Sequence, residues 1–85
     1  MRIGSVQRDI LMLLYRCGDT GAFIGSTTKA RELRGYDLAQ VERALTSLIG
    51  RGLVRKEGIR YIICTVARNW CWYEKNHARQ AVKPA

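Results

Sequence analysis

Acidic residues, histidine and paired cysteines are what this sequence has least of. It holds one histidine, three cysteines, and seven Asp and Glu against fifteen Lys and Arg. The cysteines, Cys17, Cys64 and Cys71, are an odd number with no CxxC spacing, which excludes the usual paired-ligand zinc sites. They read as small buried apolar side chains, with a Cys17–Cys64 disulfide left open, as in the intracellular proteins of hyperthermophiles. His77 has no evident acidic partner and reads as a core or interface residue. No Gly-rich phosphate loop, metal cluster or nucleophile motif occurs, so neither an enzyme nor a cofactor is expected. No apolar run approaches the roughly 20 residues that span a bilayer. The start, MRIGSVQRDI, lacks an apolar h-region and a small-residue cleavage site, so no secretory signal is expected. A cytoplasmic protein is, in a prokaryote or an infected host cell.

What is present is an ordinary apolar fraction, 47% of 85 residues, enough for one modest core and too little for a deep enclosed cleft. The formal charge is +8, and it is uneven. Residues 1–50 carry seven basic and five acidic side chains, whereas residues 51–85 carry eight and two. A basic half-chain points first to nucleic acid, then to an acidic surface.

The apolar periodicity divides the chain. VQRDILMLLYRC (6–17) predicts a mostly buried helix, with Ser5 as N-cap and Gly18 as its stop. AFIG is short enough to be one small strand that pairs with a later hairpin. STTKARELRG predicts a short helix of about seven residues, capped by Ser26 or Thr27 and ended by Gly35, with Ala30 and Leu33 inward. Asp37 and Gln40 form a capping-box pair at the start of a third helix reaching about Ile49. In it Leu38, Val41, Leu45 and Leu48 share one face.

Beyond Gly50 and Gly52 the period falls to two. Leu53 opens a strand, Glu57-Gly58 is the expected turn, and 59–64 returns. Thr65 caps a last helix in which Val66, Trp70, Tyr73 and His77 fall on one stripe.

The order of elements and the stretch VERALTSLIGRGLVRKEGIRYIICT resemble the winged helix-turn-helix family of DNA-binding proteins. TKARELRGYDLAQVERAL is likewise similar to that family's second helix, turn and reading helix. The resemblance spans about residues 6–65. It implies an α+β fold: a three-helix core, a two-stranded β-hairpin wing, and here an additional C-terminal helix. The winged domain is expected over 1–65, the C-terminal helix over 66–82 and a frayed tail over 83–85. A wing with only Glu57-Gly58 at its tip is too short for deep minor-groove entry.

The implied partner is double-stranded DNA, and the implied role that of a small prokaryotic or viral transcriptional regulator. In the major groove Arg reads guanine and Gln reads adenine. The outer face of the third helix offers Ala39, Gln40, Arg43, Thr46 and Ser47 for base reading. Thr27, Thr28, Lys29 and Arg31 suit phosphates at a helix start. Arg51, Arg55, Lys56 and Arg60 suit the flanking backbone.

Trp70, Trp72 and Tyr73 cannot all enter so small a core. Trp70 and Tyr73 are expected to pack on the first helix, with Trp72 left as an anchor for a homodimer or a protein partner. The competing readings are a winged-helix protein-interaction module that joins or blocks a nucleic-acid-processing assembly, and aromatic stacking with a single strand. No membrane partner is expected.

Overall fold

The computed structural model describes residues 2–82, with side chains to His77; the expected frayed tail 83–85 lies outside the described residues. The chain is α+β in the layout of a winged helix. Helix α1 (Ser5–Cys17) and helix α2 (Leu38–Gly50) are followed by strands β1 (Val54–Glu57) and β2 (Arg60–Ile63), then helix α3 (Thr65–Val82). Among the described residues no helix is long and apolar enough to cross a membrane.

One core serves all of these elements. Ile10, Leu11, Leu13 and Leu14 of α1 meet Val41, Ala44, Leu45 and Leu48 of α2, Val54 and Ile63 of the hairpin, and Ala67 and Cys71 of α3. Among the described residues the buried set is almost wholly aliphatic and contains no polar or charged side chain. Burying each large side chain stabilises by about 1.5–3 kcal/mol.

Local signals set the element ends. The α1 N-cap is Gly4 rather than Ser5, and no side chain caps it. At α2 the Asp37 carboxylate accepts from the Gln40 amide while Gln40 Oε1 accepts from the Asp37 amide. That reciprocal pair satisfies two of the helix's orphan donors. At the other end the Gly52 amide donates to Ile49 and the Leu53 amide to Leu48. This is a Schellman closure, and its apolar contact, Leu48 with Leu53, is buried.

The seven-residue second helix is not formed. Its place holds a turn at 26–27 and a single 3-10 turn, Arg31–Leu33, with Ala30 in extended backbone at its start and no side-chain cap. The Thr28 hydroxyl takes the Gly25 amide and donates to the Phe23 carbonyl, which holds the chain in a turn where helix was expected. Ser and Thr compete for backbone groups in this way, and a segment this short cannot offset the cost of nucleating a helix. Leu33 still reaches the core, and the Tyr36 hydroxyl donates to Asp9 of α1 at 2.5 Å, which raises the Tyr36 pKa above its ordinary value.

The hairpin register pairs Val54 with Ile63 and Glu57 with Arg60. The two-residue loop is therefore Gly58-Ile59, one position later than the expected Glu57-Gly58. Gly58 has φ 62° and Ile59 does not, the type II′ pattern favoured in two-residue hairpins. The third short strand is reduced to one bridge, Ala22 with Tyr61. Gly21 makes that approach possible: a Cβ there would stand 2.4 Å from the Tyr61 carbonyl oxygen. Behind it lies Ile62, buried on the sheet face away from the main core.

Candidate nucleic-acid interface

Helix α2 buries Val41, Ala44, Leu45 and Leu48, while Leu38 is 40% exposed. Burial of Ala44 in place of Leu38 turns the outer face by about 30° from the one read off the leucines alone, at 100° per residue. Ala39, Arg43 and Thr46 remain at its centre and are exposed. Ser47 moves toward α1, where it is half-buried and accepts a hydrogen bond from Gln7 Nε2 at 3.2 Å. Glu42, absent from the expected set, comes up on the opposite flank.

Two hollows border this face. One is lined by Ala39, Glu42, Arg43 and Thr46. The other lies between the start of α1 (Gly4 to Gln7) and Gln40, Arg43 and Ala44. Arg43 stands between them, its Nε 3.5 Å from the Ala39 carbonyl, so its guanidinium lies along the helix with its terminal donors uncommitted. The Thr46 hydroxyl donates to the Glu42 carbonyl. Gln40 is exposed, but its Oε1 serves the cap. That bond uses one of the two lone pairs of Oε1 and fixes the direction of the amide.

Gln7 was invisible to periodicity, because it lies on a helix read as core. Its Oε1 accepts from Arg51 Nη1 at 2.9 Å and its Nε2 donates to Ser47. One side chain of α1 thus ties together two of the expected contact residues at the far end of α2. No local signal singles it out, because Ser5, Arg8 and Asp9 around it are polar as well.

The basic residues of the hairpin divide by the pleat. Arg55, Glu57 and Arg60 share one face: Arg55 Nε meets Glu57 Oε2 at 2.6 Å, and Glu57 is directly opposite Arg60. Glu57 thus lies between two arginines on the strand and not at the tip. Lys56 points to the other face, its Nζ 5.5 Å from the centre of the Tyr61 ring. The tip presents Ile59, 70% exposed. All four expected backbone contacts, Arg51, Arg55, Lys56 and Arg60, are exposed.

The second expected phosphate group does not hold together. No helix begins at 27–29, so Thr27, Thr28 and Lys29 have no helix terminus to share. Thr28 is committed to its turn, while Thr27, Lys29 and Arg31 are exposed. Arg31 lies 3.9 Å from Glu32, whose carboxylate is gripped by Arg16 through two bonds of 2.7 and 3.0 Å. The Arg16 hydrogen bonds hold the Glu32 carboxyl below its ordinary pKa.

Helix α3 meets the core through a different stripe from the one expected. Ala67 and Cys71 are fully buried, with Trp70 half-buried beside them. Tyr73 does not pack on α1; it is exposed and stacks on His77, ring centres 4.5 Å apart. Trp72 is exposed, as expected, and Val66 with it. Among the residues whose side chains are described, the outer arc reads Val66, Asn69, Trp72, Tyr73 and His77, all exposed, with the half-buried Asn76, and holds no Lys, Arg, Asp or Glu. All three cysteines are free thiols, and burial pushes Cys71 up to about 11. Among the described residues no group of three or more His, Cys, Asp or Glu is placed to hold a metal ion.

Comparison of the chain with family models, with curated proteins and with solved structures finds no significant match. The function is therefore read from these residues alone.

Proposed function

We propose that the chain is a sequence-specific double-stranded DNA-binding protein, a small prokaryotic or viral transcriptional regulator of the winged helix-turn-helix kind. The observation that carries this reading is α2 itself. It is a helix closed at both ends, with an outer face centred on an arginine whose terminal donors are uncommitted. It runs past the exposed Arg51 at its end into a hairpin bearing three more exposed basic side chains, Arg55, Lys56 and Arg60. A major groove admits such a helix, and phosphates fix its register while base edges supply the choice.

Base reading is assigned to Ala39, Arg43 and Thr46, with Gln40 and Ser47 at the margin. Backbone contact is assigned to Arg51, Arg55, Lys56 and Arg60, with Lys29 and Arg31 as exposed outliers. The uncharged arc of α3 supports a homodimer. Two copies each carrying +8 repel one another through most of their surfaces, and this arc offers Trp72 and Tyr73 without adding charge.

Binding to random duplex DNA, followed across a range of salt concentrations, tests the reading. Neutralising about four to six phosphates per monomer gives a log–log slope of about −4 to −5. Replacing Arg55 and Lys56 together with Ala is expected to reduce that slope by up to about 2, equally for all sequences. Absence of salt-sensitive duplex binding overturns the proposal. A protein-interaction module is the second reading, favoured by the exposed Trp72 and by Ile59 at the hairpin tip; sedimentation that shows a monomer binding no duplex would leave it in front.

A further inference from the structure

The outer face of α2 has a definite donor and acceptor inventory once internal bonds are subtracted. Gln40 has its acceptor oxygen in the cap with the Asp37 amide. Ser47 is half-buried and receives Gln7. The Thr46 proton is given to the Glu42 carbonyl. What remains is one strong donor group, the guanidinium of Arg43, and one strong acceptor, the carboxylate of Glu42. They line the same hollow with Ala39 and Thr46, and Glu42 forms no ion pair among the described residues.

In the major groove each base pair displays its own pattern. Guanine shows two acceptors, O6 and N7, which suit Arg; cytosine shows one amino donor, N4, which suits a carboxylate. Adenine needs a side chain that donates and accepts at once, the role of Asn or Gln. The only amide on the face, Gln40, lies at its margin with one lone pair of its oxygen in the cap and its direction fixed there. We infer that α2 reads G·C pairs, with Arg43 on a guanine and Glu42 on the amino group of a cytosine in a neighbouring pair. Glu42 is then a specificity-determining residue. It contributes choice while weakening general attraction to the backbone, because its charge opposes that of the phosphates.

This inference rests on the DNA-binding reading, and the test keeps the two apart. The parent chain and the variants Arg43→Ala, Glu42→Ala and Glu42→Gln are each used to select duplexes from a random library at one salt concentration. Circular dichroism first confirms that each is folded. The parent is expected to recover neighbouring G·C pairs. Arg43→Ala loses the guanine preference by roughly 5- to 150-fold. Glu42→Ala loses the cytosine preference while binding random duplex at least as tightly as the parent. Glu42→Gln, which keeps an acceptor but no charge, retains more of that preference than Glu42→Ala, as a contact to N4 requires and a simple charge effect does not. An unaltered selection by Glu42→Ala, or an A·T core selected by the parent, overturns the inference and leaves DNA binding standing. A parent that binds no duplex overturns both.

Discussion

Helices α2 and α3 pack one face each on the same core but do so with side chains of different size. Helix α2 presents Val41, Leu45 and Leu48, with Ala44 at the edge; α3 presents Ala67 and Cys71. Large aliphatics of α2 fill the space against α1, whereas α3 buries small side chains and leaves its large ones, Trp72 and Tyr73, outside. The consequence shows on the outer faces. That of α2 is polar, charged and tethered by Gln7 to α1; that of α3 is uncharged, aromatic and untethered. Packing differences on the inside therefore decide which chemistry each helix offers to a partner.

The comparison breaks most easily at Leu48. It is fully buried and closes the Schellman contact with Leu53, so Leu48→Ala is expected to cost about 2–5 kcal/mol in denaturant unfolding. Trp72→Ala, on the exposed arc of α3, should lie within about 0.5 kcal/mol of the parent at a dilution where the chain is monomeric. Equal losses at the two sites would mean that α3 packs by its aromatic face after all. A smaller effect belongs to the α2 cap. Asp37→Ala removes one acceptor and releases Gln40, at a cost of about 1 kcal/mol, measurable by thermal melting; no equivalent sensitivity is expected for Ser5→Ala at the uncapped start of α1.

The smallest effect is in pH. The folded pKa of Glu32 is lowered, chiefly by its hydrogen bonds from Arg16. Its contribution is complete above the ordinary value of 4.5 and is lost as the pH falls through the lower folded value. Stability measured between about pH 5 and pH 2 should thus decline less in Glu32→Gln than in the parent. Parallel curves would show that this pair, which joins α1 to the 3-10 turn, contributes nothing measurable, as many exposed ion pairs do.

Much of the fold was legible because its signals are local. Gly18, the Asp37–Gln40 cap, the Gly52 closure and the fall in period after it all act over a few residues, and each appears where it was expected. The bridge from AFIG to the hairpin was legible as well. The second helix was not, because the competition between the Thr28 hydroxyl and helical bonding depends on where Phe23 and Gly25 are held. The hairpin tip shifted by one residue because turn geometry favours positive φ at the first loop position, and Gly58 is the residue that supplies it. Within the candidate site, Ala39, Arg43, Arg51, Arg55, Lys56 and Arg60 were found as exposed side chains. Thr28 and Ser47 were taken up by bonds that span 3 to 40 residues of sequence, and Glu42 was exchanged into the face by the rotation of α2.

Apart from the second helix, the sequence by itself determined the order of the elements, their class, most of their ends and the concentration of positive charge in the second half. Those properties follow from backbone chemistry and periodicity, which neighbours in the chain settle among themselves. Only the tertiary structure decided which face of each amphipathic helix turns inward. Both α2 and α3 carry apolar residues around more than one side. The choice between sides is settled by packing the whole core: Ala44, Ala67 and Cys71 are buried, while the bulkier Leu38, Val66 and Tyr73 are left exposed.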